Sequence, residues 1–187
     1  MLNFNGGLPE TYSGNVYMGI DQSYTGFAVT TLEADGDRYF TKVYKSPNRG
    51  VKRLVDISCF LIDTFSYYPN ILDISMEGYA YGSQLSNMLG ELGGLVKVTA
   101  FTHSNSKAGK YPLIVPPTSL KKYVSGKGNG VSKSQMLLNV YKKWGVEFAD
   151  DNAADSYGLA HLVSNRGKLA YEKEVFAKLQ DPKFREQ

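Results

Sequence analysis

One cysteine, Cys59, is the only thiol this chain has, which excludes an internal disulfide framework and a cysteine-built zinc site. It sits in the apolar run Ile57-Ser58-Cys59-Phe60-Leu61-Ile62 and is expected to pack as a small buried hydrophobe. No run of eighteen apolar residues occurs and no basic-then-apolar export signal opens the chain, so a soluble, cytoplasmic protein without membrane contact is expected. Lys133 has no glycine before it and no strong strand leads into its loop. The stretch therefore fails as a phosphate-binding P-loop, and no nucleotide cofactor is expected. The most informative absence is of acid. Residues 97–145 hold nine lysines and no Asp or Glu, whereas the rest of the 187-residue chain carries 12 basic against 18 acidic side chains. So uneven a distribution points to a polyanion footprint, with Lys107, Lys121, Lys122, Lys127, Lys133 and Lys142 as candidate phosphate contacts.

At 42% apolar residues the chain has enough core for one domain. Apolar Val16, Met18 and Ile20 lead into Asp21, and a Gln-Ser-Tyr-Thr-Gly turn returns as a second strand over residues 26–32. An Asp-Gly turn then feeds a third strand at Tyr39–Tyr44. Val51, Leu54, Val55, Ser58, Ile62 and Phe65 recur at helical spacing up to Pro69. The strand Ile71–Glu77 follows, and a strand–helix–strand crossover lays it parallel to the first. A long helix is expected over residues 83–103, with Gly90, Gly93, Gly94 and Ala100 permitting close approach, and a short strand over 111–115. The next helix is capped by Thr118 or Ser119, and Ser132 with Gln135 forms a capping box for another. A last core helix opens at Asp150-Asp151-Asn152, and an amphipathic helix covers 168–180.

Three carboxylates therefore meet from distant positions: Asp21 and Glu77 at the ends of parallel strands, and Asp155 in the final core helix. Asp151 and Asn152 lie four and three residues before Asp155, so either shares its face. Such a cluster repels itself unless divalent cations sit within it. With no His or Cys in these motifs the donors are hard oxygens, which suit two Mg²⁺ ions, with Mn²⁺ substituting. Two such ions can activate water and stabilise the leaving oxygen at a phosphodiester.

These motifs resemble the RuvC-type Holliday-junction resolvases of the RNase H-like superfamily, in particular their divergent phage members. The resemblance runs over about residues 16–163. Gly19-Ile20-Asp21 with Thr25-Gly26 resembles the first motif, Met76-Glu77 the second, and the stretch from Asn152 through Asp155 to Ala160 the last. Lys133-Ser134-Gln135, with Lys121 or Lys122, matches the family's basic residues near the scissile phosphate. The resemblance implies an α/β, RNase H-like fold with a five-stranded mixed sheet flanked by helices. The nuclease domain spans 15–166, between a flexible arm (1–14) and a C-terminal helix or tail (167–187). The implied activity is a Mg²⁺-dependent endodeoxyribonuclease that nicks branched DNA (four-way junctions, forks, flaps), working as a homodimer in the cytoplasm, that of a bacterial host if phage-encoded. Asp21, Glu77, Asp155 and Lys133 would be catalytic, the three acids holding metal. The family has Asp or His where Asn152 stands, and Asp151 is the candidate substitute as fourth ligand. An aromatic follows the family's second acid and wedges into the junction; Tyr79 and Tyr81 are both candidates here. The competing expectation is a catalytically idle branched-DNA-binding module of the same fold.

Overall fold

The computed structural model describes residues 11–78, 86–107 and 111–185. Three antiparallel strands come first: β1 (Val16–Asp21), β2 (Phe27–Glu33) and β3 (Tyr39–Tyr44). Helix α1 (Gly50–Tyr67) crosses to β4 (Ile71–Glu77), and α2 (Ser86–His103) leads to the short β5 (Leu113–Val115). Then come α3 (Pro117–Ser125), α4 (Lys133–Trp144), α5 (Asp151–Val163) and α6 (Ala170–Lys178). The sheet runs β3-β2-β1-β4-β5, with β4 parallel to both β1 and β5, so it is the five-stranded mixed sheet flanked by helices that the sequence implies. β1 is central, and its near-continuous burial follows from having a layer on each face. One core joins Met18, Ile20, Phe27, Ile57, Leu61 and Leu92 under α1 and α2; the other joins Leu120, Tyr123, Met136, Tyr157, Leu159 and Val175 among α3 to α6. Among the described residues no helix is long and apolar enough to cross a membrane.

Gly19 decides where α5 lies. A Cβ there would stand 2.1 Å from the Ser156 carbonyl oxygen and 2.4 Å from the Ala160 nitrogen, so only glycine lets the helix backbone rest on β1. Buried hydroxyls fasten the contact: Thr30 Oγ1 bonds Ser156 Oγ at 2.8 Å, and Ser75 Oγ donates to the Leu159 carbonyl at 2.9 Å.

Several sequence expectations are corrected. The buried stripe of α1 is Arg53, Ile57, Phe60, Leu61, Thr64 and Phe65, while Val51 and Val55 face outward, 75% and 55% exposed. Cys59 is on that outer side and is exposed, not buried. Neither Thr118 nor Ser119 caps α3: Pro117 occupies its first turn and Pro116 precedes it without a side-chain cap, because proline's fixed φ sets the start. The Ser132–Gln135 capping box is present as expected. The C-terminal helix is shorter than its pattern suggested, and Val175, Leu179 and Phe184 are buried in the second core. Arg185 ties the end of the chain to β4 by a two-pronged bond to Asp73, at 3.0 and 2.6 Å.

Candidate active site

One cavity of about 330 Å³ opens at the carboxyl ends of β1 and β4. Register puts Ile20 beside Met76, so one step on Asp21 and Glu77 emerge as neighbours. α5, held against Gly19, brings Asp155 to the same wall, and Asp151, Asn152 and Lys133 complete the rim. The turn after β1 is fixed from two sides. Gln22 donates to the Glu77 carbonyl at 2.6 Å, and Arg53, buried in α1, lies 4.1 Å from the Tyr24 ring centroid.

The electrostatics follow from burial and crowding. Asp21, 3% exposed, has its pKa pushed well above the usual carboxylate range by desolvation, then by Glu77 and Asp155, against one bond from the Ser23 backbone. Desolvation and Asp155 raise Glu77 to about 8, with Lys121 and Lys133 pulling the other way. Desolvation and Asp151 raise Asp155 to about 7, again opposed by the two lysines. Asp155 Oδ1 is buried without a hydrogen-bond partner among the described residues.

The donor set fits a hard divalent cation: carboxylate oxygens, one of them unpartnered, and, among the described residues, no His or Cys on the cavity wall. Among the described residues no group of three or more His, Cys, Asp or Glu is already gathered as a metal cage. The two candidates for a fourth ligand differ. Asp151 forms an ion pair with Lys133. The Asn152 amide donates to Asp150 Oδ1 at 3.0 Å and rests over Gly26, where a Cβ would meet it at 2.7 Å.

The other lysines divide. Lys121 acts electrically on the carboxylates, whereas Lys122 pairs with Glu174 of α6 at 2.6 Å. Lys107 bonds Asn15 at 3.3 Å, at the opposite sheet edge where β1 begins. Lys127 and Lys142 are exposed. Tyr79 and Tyr81 lie outside the described residues. Sequence reasoning missed Gln22 as a strut and Arg53 as a buried cation; the only trace of Arg53 was a charge inside an apolar helical stretch.

No protein-family model matches the chain, and no curated protein matches it. Solved structures do. A Thermus thermophilus RuvC structure superposes with TM-score 0.62 at 20% identity, covering 88% of this chain and 96% of that one. T. thermophilus RuvC in complex with a Holliday junction substrate gives 0.61 at 19%, covering 88% and 95%. The fold is therefore that of RuvC, the RNase H-like arrangement implied by the motifs.

Proposed function

We propose that this chain is a Mg²⁺-dependent, structure-selective endonuclease that nicks branched DNA and resolves four-way junctions, a divergent, phage-type relative of the RuvC resolvases. The observation that carries the reading is the convergence of Asp21, Glu77 and Asp155 in one cavity, with their ionisation held back by burial and mutual repulsion. That T. thermophilus RuvC, which shares the fold, forms a complex with a Holliday junction substrate supports branched DNA as the substrate class.

Asp21, Glu77 and Asp155 would hold two ions, with Asp151 as the fourth ligand. Bound there, Mg²⁺ supplies an activated water and charge for the leaving oxygen. Asp155 lines the cavity and its Oδ1 has no hydrogen-bond partner among the described residues, and the Gln22 strut keeps the ends of β1 and β4 at fixed spacing. Lys121 and Lys133 place positive charge beside the carboxylates, where a phosphate must arrive. Symmetric nicks in opposing strands call for a two-fold partner. Exposed Val51 and Val55 on α1 and Val98 on α2 offer apolar surface for it, the two helices being linked by the Ser58–Thr99 contact at 3.3 Å. The Lys133–Asp151 ion pair favours the second reading, an idle DNA-binding module whose own lysine occupies a ligand.

The test compares nicking of a four-way junction in Mg²⁺ with gel-shift binding, for wild type, Asp21→Asn and Glu77→Gln. Cleavage is expected to vanish in both variants while binding stays near normal. Retained cutting by Asp21→Asn ends the metal-nuclease reading, and a monomer by sedimentation ends the dimer.

A further inference from the structure

A second cavity, of about 570 Å³, shares no lining residue with the first. It lies between the end of α4, α5, residues 166–169 and the β2–β3 turn. His161 in its wall is six residues beyond Asp155 on α5, about 9 Å along the axis and turned to another face. Its ring is 5% exposed, stacked on Trp144 at 4.5 Å and 25°, and its Nε2 is buried with no hydrogen-bond partner among the described residues. Burial, then Arg166 and Lys143, depress its pKa to about 3, so the ring is neutral.

The donors around that nitrogen outnumber the acceptors. Glu172 is already spent, accepting from Lys143 and from the backbone N–H groups of Lys168 and Leu169. The carbonyls of Glu33, Ala34 and Gly36 hold the Arg166 guanidinium in place. Among the described residues Lys168, which is exposed, makes no ion pair, and the only acid left at the rim is fully exposed Asp37, 3.5 Å from Arg166. Lys143 and Glu172 cancel, which leaves a cationic excess beside an unsatisfied imidazole nitrogen.

We propose that this cavity binds a phosphate monoester, with Lys168 facing its oxygens, Arg166 adding positive charge from its carbonyl cradle and His161 Nε2 bonded to it. A monoester suits the site better than a carboxylate. With its second pKa near 6 it offers acceptor oxygens and, in part, a P–O–H, so it meets Nε2 in either tautomer. A free phosphomonoester and the terminal phosphate of a DNA strand carry the same chemistry.

Trp144 is the chain's only tryptophan, so its fluorescence reports the site without metal or nuclease activity. Failure here thus leaves the nuclease reading untouched, and the reverse holds too. The full chain is titrated with inorganic phosphate, a deoxynucleoside 5′-monophosphate, and a single strand bearing 5′-phosphate or 5′-hydroxyl, at matched ionic strength. A saturable change is expected, weakened about tenfold or more by His161→Phe, which keeps the ring stack, and by Lys168→Ala. Lys168→Ala changes an exposed side chain and carries the test alone should His161→Phe not fold. Equal binding of phosphate and monophosphate identifies a free ligand; tighter binding of the phosphorylated strand identifies a DNA end. A response that does not saturate, one unchanged in Lys168→Ala, or equal binding of the 5′-hydroxyl strand overturns the proposal.

Discussion

Glu77 is where stability and function pull apart. In the unfolded chain its proton leaves near the ordinary glutamate value of 4.5, and in the fold only near 8. Between those values the folded state holds more protons than the unfolded one, so stability is full below about pH 4 and falls as pH rises through about 8. Asp155, raised to about 7, acts in the same direction. Glu77→Gln removes one such group, so without divalent ions the variant should melt several degrees above wild type at pH 8 and level with it at pH 4, at roughly 2–4 °C per kcal/mol. Adding Mg²⁺ at pH 8 should lift wild type more than the variant. Equal melting at both pH values would mean that the carboxylates are not crowded. Lys133 poses a different question, since its ion pair with Asp151 either places the lysine or blocks the ligand. If Lys133 stabilises charge that develops only in the transition state, Lys133→Ala should lower single-turnover cleavage about 10²-fold with little change in affinity. Faster cleavage by that variant would show the ion pair to be inhibitory, and Asp151→Ala, scored beside Asn152→Ala, identifies the fourth ligand.

α5 is the element that turns a sheet into a site, and its position hangs on the atom Gly19 lacks. Gly19→Ala drives a methyl into the Ser156 carbonyl and the Ala160 nitrogen, both backbone, so the helix must lift. That exceeds ordinary overpacking, and about 3 kcal/mol or more of stability should be lost, a fall of roughly 6 °C or more in Tm by circular dichroism. Cleavage should fall with it, because Asp155 precedes Ser156 and moves with the helix. An unchanged Tm would put α5 elsewhere. The sequence carried the strands well, since alternation and turn chemistry are local signals: β3 and β4 fall on the expected residues. It also carried the meeting of Asp21, Glu77 and Asp155 at one cavity, because strand ends and a helix start fix where side chains emerge. The face of α1 was not legible. Val51 and Val55 form one apolar stripe and Ile57, Phe60 and Leu61 another, and only the sheet beneath selects between them. Nor could spacing show that Arg53 folds under Tyr24, a contact made 29 residues away across the turn.

Across the whole molecule, the acid-free segment is less exposed as charge than its composition suggests. α6 returns Glu174 to Lys122 and Glu172 to Lys143, while Lys133 leans on Asp151, so at least three of the segment's lysines are paired with acids among the described residues. Lys127, Lys142 and Lys107 also do not share one edge. Lys127 belongs to the loop whose Gly128 lies against the first turn of α3, beside the carboxylate cavity. Lys142 is nine residues beyond Lys133 on α4, about 13 Å away, and Lys107 is at the other end of the sheet. A straight duplex gripped at the cavity should touch Lys127 alone of these three, whereas the arms of a four-way junction diverge and can reach the others. Lys127→Ala should therefore lower the slope of log affinity against log salt by about one on every DNA shape, each lost phosphate contact releasing one fewer counterion. Lys107→Ala and Lys142→Ala should leave the slope unchanged on linear duplex and lower it only on the junction. If all three variants weaken linear duplex alike, the footprint is the whole lysine segment and not the carboxylate edge, and selectivity for branched DNA must come from some feature other than the reach of these side chains.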